Sequence, residues 1–360
     1  MNTVSAPLRG RGATFNPHHR FAALRGEPVD DGWYHEDGEP PALATEVREE
    51  RARSLVVRNQ SPDLHFGLSI NPYRGCEHGC IYCYARPNHG YVGLSPGLDF
   101  ESRLFVKVDA AERLRAELDA SGWKCEPINL GSATDAYQPI ERRYGLTRAL
   151  IEVMAARRQP FAIVTKSSLV ERDIDLLAPL AADRLVSVYV TVTTLDADLA
   201  RHWEPRAAAP WRRLQTMRRL REAGIPVGVS LAPVAPFLNE PEIERVLAAA
   251  SEAGAQAAFY QVLRLPWELR ELFVQWLGTR YPDRARRVLR RLADMRSDEG
   301  RARLNDPRFF SRMTGQGAWA ELIRLRFELA ARRLGLARRL PELRADLFRR
   351  GADERQLGLF

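Results

Sequence analysis

Three cysteines in one short segment constrain this chain more than any other feature of its sequence. The segment reads Asn71-Pro-Tyr-Arg-Gly-Cys76-Glu-His-Gly-Cys80-Ile-Tyr-Cys83-Tyr84. Thiolates are the usual ligands of iron–sulfur clusters, and the glycines beside them let the backbone approach an inorganic core closely. Because the segment supplies only three thiolates, a cubane 4Fe–4S cluster bound here would keep one iron free for a ligand that is not protein.

A zinc site is the alternative for the same segment, because His78 can complete a tetrahedral set with the three cysteines. Such a chain would be a metal-stabilised binding module without catalytic activity. Structural zinc loops are usually built from separate two-cysteine knuckles, and the sequence has no second knuckle. The remaining cysteine, Cys125, is too distant to form a disulfide framework with the other three. The spacing therefore favours the cluster over zinc.

The spacing Cys-x3-Cys-x2-Cys, with Tyr82 before the last cysteine, resembles the signature of radical S-adenosylmethionine (SAM) enzymes. The resemblance implies that Cys76, Cys80 and Cys83 bind a 4Fe–4S cluster whose open iron chelates the methionine part of SAM. An electron from the cluster would break a C–S bond and give a 5′-deoxyadenosyl radical, which abstracts a hydrogen atom from a substrate. The resemblance also implies a ferredoxin- or flavodoxin-like electron donor.

The composition is that of a cytoplasmic protein that does not span a membrane. With 360 residues and 45% hydrophobic residues, the chain can bury a substantial core. No apolar run approaches the ~20 residues that a membrane-spanning helix needs. Four cysteines and an opening that does not resemble a signal peptide favour a reducing compartment over secretion.

The positive charge is concentrated in the last quarter of the chain. Residues 264–360 contain 23 arginines against 13 aspartates and glutamates, a surplus of 10, whereas the whole chain carries a net charge of +8. A basic face can attract nucleic acid. Alternatively, these arginines solvate amphipathic helices and pair with glutamates at helical spacing. The substrate is accordingly either nucleic acid or a small molecule or peptide, and both alternatives stay open.

Six apolar segments rich in β-branched residues alternate with helical patterns. Alternation of this kind predicts an α/β fold in which helices cross over between parallel strands. Six units suit a partial (β/α)6 TIM barrel of the radical SAM type. Strands are predicted at residues 68–72, 127–131, 161–165, 185–193, 226–232 and 257–263, and helices at residues 110–121, 146–157, 171–182, 211–223 and 240–253.

The chain divides into three predicted regions. Residues 1–60, rich in proline, glycine and charge, are predicted to form an extended, partly disordered arm that includes an acidic stretch around residues 30–33 and a short helical turn at residues 46–53. Residues 61–265 form the barrel. Residues 266–360 form an arginine-rich helical extension, with amphipathic helices at residues 266–277, 282–295 and 318–334. A polar, aromatic segment at residues 305–317 either covers the open side of the barrel or is a plain loop.

Polar residues follow the second and third predicted strands, at the edge where barrels of parallel strands carry their chemistry. Ser132 and Asp135 follow the second strand, and Lys166 follows the third. The serine lets a ligand approach the backbone, Asp135 can accept hydrogen bonds from an ammonium group, and Lys166 offers a point charge to a carboxylate. The alternatives are an ordinary helix N-cap region and a solvated loop lysine.

The fourth and fifth strands carry further candidates. Thr191 and Ser230 lie near the ends of these strands, and a loop after the fourth carries Glu204 and Arg206. Ser230 can lie beside the adenine of SAM. Glu204 and Arg206 either hold the ribose or carboxylate of SAM or pair with each other, and Thr191 can simply reflect the β-propensity of threonine.

A narrower resemblance is to the group related to spore photoproduct lyase, often labelled "DNA repair photolyase-like", and within it to an uncharacterised bacterial subgroup. It implies that Tyr82 packs near adenine and that Ser132, Lys166 and Thr191 contact methionine or ribose. Ser132 stands where the lyase has a hydrogen-donating cysteine. A serine O–H bond is too strong to donate a hydrogen atom readily, so the resemblance does not extend to thymine-dimer repair by the lyase mechanism. The motifs that carry it are Cys76 to Cys83, Thr134-Asp135 with Gln138-Pro139-Ile140-Glu141, Thr165-Lys166, Trp203-Glu204-Pro205-Arg206 and Gly224-Ile-Pro-Val-Gly228.

Overall fold

A computed structural model describes residues 8, 10–22, 43–296 and 303–351 of the chain. Ten strands form two sheets. They are β1 (Glu46–Glu50), β2 (Val56–Arg58), β3 (Leu68–Ile70), β4 (Tyr73–Arg74), β5 (Arg103–Lys107), β6 (Ile128–Leu130), β7 (Phe161–Thr165), β8 (Val186–Thr191), β9 (Val227–Val234) and β10 (Ala257–Val262).

The larger sheet has seven strands in the order β10-β9-β8-β7-β6-β3-β2. Strands β3 and β6 to β10 are parallel, and β2 joins the edge antiparallel to β3. The two edge strands, β10 and β2, do not pair with each other. The sheet is therefore an unclosed barrel, and the predicted partial TIM barrel is confirmed. The smaller sheet, in the order β1-β5-β4, combines parallel and antiparallel pairs.

Helices cover the outer face of the larger sheet and continue beyond it. Helix α8 illustrates why they form, because Ile243, Val246, Leu247 and Ala250 recur at helical spacing and are all buried. Within the described ranges, no helix is both long and apolar enough to cross a membrane. The helices are α1 (Leu98–Ser102), α2 (Ala110–Asp119), α3 (Glu141–Tyr144), α4 (Leu146–Ala156), α5 (Ile174–Ala182), α6 (Ala197–Trp203), α7 (Pro210–Glu222), α8 (Ile243–Glu252), α9 (Leu269–Arg280), α10 (Pro282–Arg296), α11 (Ser311–Thr314) and α12 (Gly317–Arg333).

The central strands are largely buried because both faces of a parallel sheet are covered. Val186, Val188 and Val190 of β8 are fully buried, and so are Val227 and Val229 of β9. These side chains belong to one continuous core that also includes residues of the C-terminal helices. The core holds the carboxyl ends of the strands at one edge, where the polar loops meet.

The predicted helical turn at residues 46–53 is wrong. Glu46–Glu50 is strand β1, which pairs in parallel register with β5. The charged side chains of this segment are mostly solvent-exposed, so they carry little information about its conformation. The backbone pairing with β5, a strand more than fifty residues away in sequence, decides the structure instead.

Residues 10–22 contain no helix or strand, yet residues 11–13 are buried against the cysteine segment. The acidic stretch around residues 30–33 lies outside the described residues. The division of the chain at residues 60 and 265 stays a prediction.

Candidate functional site

The cysteine segment forms a loop at the carboxyl end of β3. Its backbone turns sharply at Gly75 and Gly79, whose φ angles of 77° and 66° lie in the left-handed region that favours glycine. A Cβ atom on Gly75 would lie 2.7 Å from a methyl carbon of Leu104, so the close packing there also requires glycine. Backbone hydrogen bonds stabilise the loop, among them Cys76 N–H to the carbonyl of Phe100 at 2.9 Å.

The three thiols of the loop are close enough to affect one another. All are free; Cys76 and Cys80 are buried, and Cys83 is partly buried. Burial raises the pKa of Cys80 and of Cys83, and the neighbouring sulfurs raise both further. Three adjacent thiolates are therefore unfavourable without a cation. A cationic iron–sulfur core fits this donor set, because it would compensate all three charges.

His78, the candidate fourth zinc ligand, lies beside a carboxylate. Its Nδ1 is 3.3 Å from Asp135 Oδ2. Burial alone would lower the pKa of His78, but Asp135 and Cys76 outweigh it and raise the pKa to about 9. Among the described residues, no three His, Cys, Asp or Glu side chains converge on one point as a single metal ion requires. A cubane does not require such convergence, since each cysteine binds a different iron.

A group of buried charges lies against the loop. Glu204 accepts a hydrogen bond from the Tyr82 hydroxyl, and Glu204 Oε2 is 2.5 Å from Nη2 of the buried Arg213. Although burial disfavours the carboxylate, Arg213 and Lys166 hold the pKa of Glu204 below its usual value. Tyr82 also packs against Trp203, with ring centroids 5.1 Å apart. The loop after β8 is thus joined to the cysteine loop through Tyr82.

Lys166 is the cation of this group for which the described residues provide no ion-pair partner. Its Nζ lies 5.8 Å from the centroid of the Tyr82 ring and makes no ion pair with any residue that the structure describes. Burial would lower the pKa of Lys166, but the nearby Cys80, Glu204 and Asp135 raise it. A charged ammonium is therefore held beside the cysteine loop and is free to bind an anionic group.

Asp135 and Arg206 already bind protein groups. Asp135 Oδ1 accepts from Thr165 Oγ1 at 2.8 Å, and Oδ2 accepts from the Lys166 amide at 2.8 Å. Burial would raise the pKa of Asp135, but His78 and these hydrogen bonds lower it to about 2. Arg206 Nη1 is 3.2 Å from Glu77 Oε1, so Arg206 does not pair with Glu204.

The three predicted hydroxyl residues lie at the same edge of the sheet as the loop. Ser132 Oγ accepts from Asn71 Nδ2 at 3.1 Å, beside the cysteine loop. Thr191 and Ser230 are buried neighbours in the register of β8 and β9. Cys125, by contrast, precedes β6 and therefore lies near the opposite edge.

Several residues that organise the site are not among those predicted. Gln138 is fully buried; its amide donates to the carbonyl of Gly75 at 3.2 Å and accepts from the Glu77 amide at 2.8 Å. The Thr134 hydroxyl donates to the same Gly75 carbonyl at 2.7 Å. Thr134 and Gln138 belong to a motif shared with the family that the sequence resembles, but that motif did not indicate what either residue does. Arg213 has no distinguishing signal in an arginine-rich helix.

The sequence of the chain is similar to those of several known proteins. A family model described as the Radical SAM superfamily matches residues 70–250. An uncharacterised protein of Mycobacterium tuberculosis is 35% identical over 274 residues, which cover 72% of this chain and 80% of that protein. An uncharacterised protein of Methanocaldococcus jannaschii is 28% identical over 219 residues, covering 59% and 76% of the two chains.

Two of the similar solved structures are of spore photoproduct lyase. A mutant form superposes with a TM-score of 0.57 at 16% identity, covering 89% of this chain and 87% of that one. The lyase complexed with dinucleoside spore photoproduct gives a TM-score of 0.56 at 15% identity and covers 81% of each chain. At this level of identity, the likeness shows a shared fold.

Proposed function

Because the chain belongs to the radical SAM superfamily, we propose that its cysteine loop holds a 4Fe–4S cluster at which SAM is reductively cleaved. The observation that carries the proposal is the placement of three free thiols, whose thiolate forms would repel one another, beside the ammonium of Lys166 at the carboxyl edge of the barrel. When bound, the cluster supplies the electron that cleaves SAM into methionine and a 5′-deoxyadenosyl radical, which abstracts a hydrogen atom from the substrate. A ferredoxin- or flavodoxin-like protein is the proposed electron donor.

The residues around the loop would bind and orient SAM. Lys166, whose ammonium makes no ion pair with a described residue, binds the methionine carboxylate. Glu204 orients Tyr82 through its hydroxyl, so that the ring can pack beside adenine. Thr191 and Ser230 offer hydroxyl groups from adjacent strands to the nucleoside.

Other residues fix the protein around the cofactor instead of binding it. Asp135 and Arg206 are assigned this role, because their charged groups already bind protein partners.

Ser132, beside Asn71, is the proposed contact to methionine or ribose.

Anaerobic reconstitution tests the proposal. The purified chain, supplied with iron and sulfide, is expected to gain about four irons and the brown colour of a 4Fe–4S cluster. With dithionite and SAM it should then form 5′-deoxyadenosine, measured by chromatography. A colourless protein that contains zinc and forms no 5′-deoxyadenosine would overturn the proposal in favour of a metal-stabilised binding module.

The substrate side of the site carries an aromatic–arginine strip, formed by Tyr84, Arg264, Phe309, Phe310 and Arg312. Tyr84 follows the last cysteine and is half exposed, and the Arg264 guanidinium lies 5.1 Å from the centroid of its ring. Arg312 lies near enough to Arg264 to help lower its pKa, after the larger effect of burial, and the Arg312 guanidinium lies 4.9 Å from the ring centroid of Phe309. The strip therefore leads from the cysteine loop outward to two phenylalanines.

The outer end of the strip is held in a strained conformation. Phe310 has a φ of 67°, which is unfavourable for a bulky residue, and 63% of its surface is exposed. Asp63 fixes this turn, since Oδ2 accepts from the Phe310 amide at 3.0 Å and Oδ1 lies 2.5 Å from Arg312 Nη2. The buried Arg296 donates to the Leu263 carbonyl at 2.9 Å and to the Arg312 carbonyl at 2.8 Å, which ties the turn to the end of β10. Strain of this kind often accompanies function.

We infer from the strip that the substrate is a nucleic acid with accessible bases. Aromatic rings stack on unpaired bases, and arginines attract the phosphate backbone. Arg264 makes no direct ion pair with a described residue, and burial lowers its pKa. The inference favours nucleic acid over a small molecule, which would not need an exposed surface extending away from the barrel.

Phe310→Ala is expected to weaken the binding of a fluorescein-labelled single-stranded oligonucleotide roughly 5- to 150-fold, because one stacked base contributes about 1–3 kcal/mol. Fluorescence anisotropy over a series of salt concentrations measures the affinity. Trp211→Ala is the matched control, since Trp211 is similarly exposed but lies on α7, away from the strip. Equal affinity of the two variants, or wild-type binding that does not depend on salt, would contradict nucleic acid and favour a small molecule or peptide.

A further inference from the structure

The N-terminal segment lies against the back of the cysteine loop and binds one buried carboxylate there. The amides of Gly12 and Ala13 donate to the two oxygens of Glu101 at 2.9 and 2.8 Å. Arg11 Nη1 donates to the main-chain carbonyl of Glu101 at 2.6 Å. All three residues are buried, although about sixty residues separate them from the first cysteine. The segment thus completes the hydrogen bonding of Glu101.

Glu101 in turn holds an arginine that binds the cysteine loop. The side chains of Glu101 and Arg86 are both fully buried and form an ion pair. Arg86 Nη2 donates to the carbonyl of Gly79 at 3.0 Å, and Nε donates to the carbonyl of Cys80 at 2.9 Å. A guanidinium can bind these carbonyls inside the protein only if its charge is compensated. The position of the Cys80 backbone therefore depends on Glu101.

The segment and the loop also touch directly. A Cβ atom on Gly12 would lie 1.9 Å from the carbonyl oxygen of Gly79, so no residue larger than glycine fits without moving one of the two backbones. A Cβ atom on Gly79 would lie 2.6 Å from Glu101 Oε2. The backbones at Gly12 and Gly79 and the Glu101 carboxylate form one tightly packed unit.

We propose that residues 11–13 belong to the metal-binding site as positioning residues. The amides of Gly12 and Ala13 and the guanidinium of Arg11 orient Glu101. Glu101 orients Arg86, and Arg86 fixes the backbone of Gly79 and Cys80, so that the Cys80 thiol is held in place before the metal centre assembles. This proposal depends on the proposed function only in taking the metal centre to be a 4Fe–4S cluster. The N-terminal segment is accordingly required for a stable cluster, although it contributes no ligand.

Site-resolved alkylation of the metal-free, full-length protein tests the proposal. Gly12→Ala is expected to raise the rate at which iodoacetamide modifies Cys80 at least tenfold, measured by peptide mass spectrometry, because the displaced backbone exposes the thiol. The rate at Cys125, near the opposite edge of the sheet, should stay unchanged and serves as an internal reference. Gly278→Ala is the matched control, because the Cβ that it adds would meet no described atom within 4 Å apart from the nearby backbone of its own helix.

A second variant and a second readout guard against general unfolding. Glu101→Gln keeps the size of the side chain but removes the charge that compensates Arg86, and it should raise the Cys80 rate in the same way. After reconstitution, both variants should lose iron to a chelator faster than wild type and show an altered EPR spectrum of the reduced cluster. Wild-type alkylation of Cys80 together with wild-type iron retention in both variants would overturn the proposal. If the wild-type chain bound no iron, the proposed function would be wrong. The alkylation rates would still decide whether residues 11–13 position the Cys80 thiol.

Discussion

Replacing Cys80 with alanine is expected to abolish the cluster and to reduce 5′-deoxyadenosine formation to background. Removing a residue that only orients a metal ligand typically costs 10–100-fold in affinity or activity, so the loss of a direct thiolate should cost more. The Cys80 thiol lies between the other two in sequence and is buried beside Lys166. Iron and sulfide analysis, the visible absorption spectrum and chromatography of the nucleoside product together measure the effect.

Cys125→Ala provides the matched control, because Cys125 lies before β6 and donates to Gln159 at 3.5 Å. It should retain the wild-type iron content and product yield. If Cys80→Ala formed as much 5′-deoxyadenosine as Cys125→Ala, the cysteine loop would not hold the cluster.

The second large effect is expected at Arg213. Arg213→Met leaves Glu204 buried without its ion-pair partner, and breaking a buried pair in this way typically lowers the free energy of unfolding by about 3–5 kcal/mol. The Arg213 side chain is almost completely buried and also donates to the carbonyl of Thr191 at 3.0 Å and to that of Ala208 at 2.6 Å. Urea denaturation followed by circular dichroism measures the change.

Arg201→Met is the comparison for this variant, since the Arg201–Asp198 pair is largely exposed and should contribute little. The double variant Arg213→Met with Glu204→Gln should recover part of the lost stability, because it removes the unpaired charge. If Arg213→Met were no less stable than Arg201→Met, the buried pair would not stabilise the fold.

The barrel could be predicted from sequence because its strands and helices carry strong local patterns. Each of the six predicted strands overlaps an observed parallel strand, and the bounds of β7 were predicted to the residue. Alternating strand and helix patterns allow few topologies once crossovers are right-handed and connections are short. Strands β2 and β4 had no comparable signal, because they have only three and two residues.

The site was predictable where chemistry limits the choice of residue. Cys76, Cys80 and Cys83 follow from spacing, and Lys166 is notable because the chain contains only three lysines. Pairings between distant residues were not predictable. Nothing in the sequence indicates that Glu204 meets Arg213 instead of Arg206. Such partners are set by how helices pack on the sheet.

The position of residues 11–13 also depends on contacts with distant residues, which the sequence does not reveal. Residues 11–13 have a composition typical of flexible chain, yet two of their backbone amides bind the buried carboxylate of Glu101. Local sequence patterns report on helices and strands. They do not report on backbone amides that find a partner some ninety residues away.

Asp63 has a mechanical consequence for the barrel. Asp63 lies between β2 and β3. Arg312 and Phe310 belong to the segment at α11, which packs against β10. The Asp63 carboxylate therefore connects the two unpaired edges of the sheet. One carboxylate therefore both links the two unpaired edges of the sheet and orients the turn at Phe310. We expect a ligand that separates the two edges of the sheet to release this turn as well. A ligand that displaces the turn should likewise weaken the link between the edges.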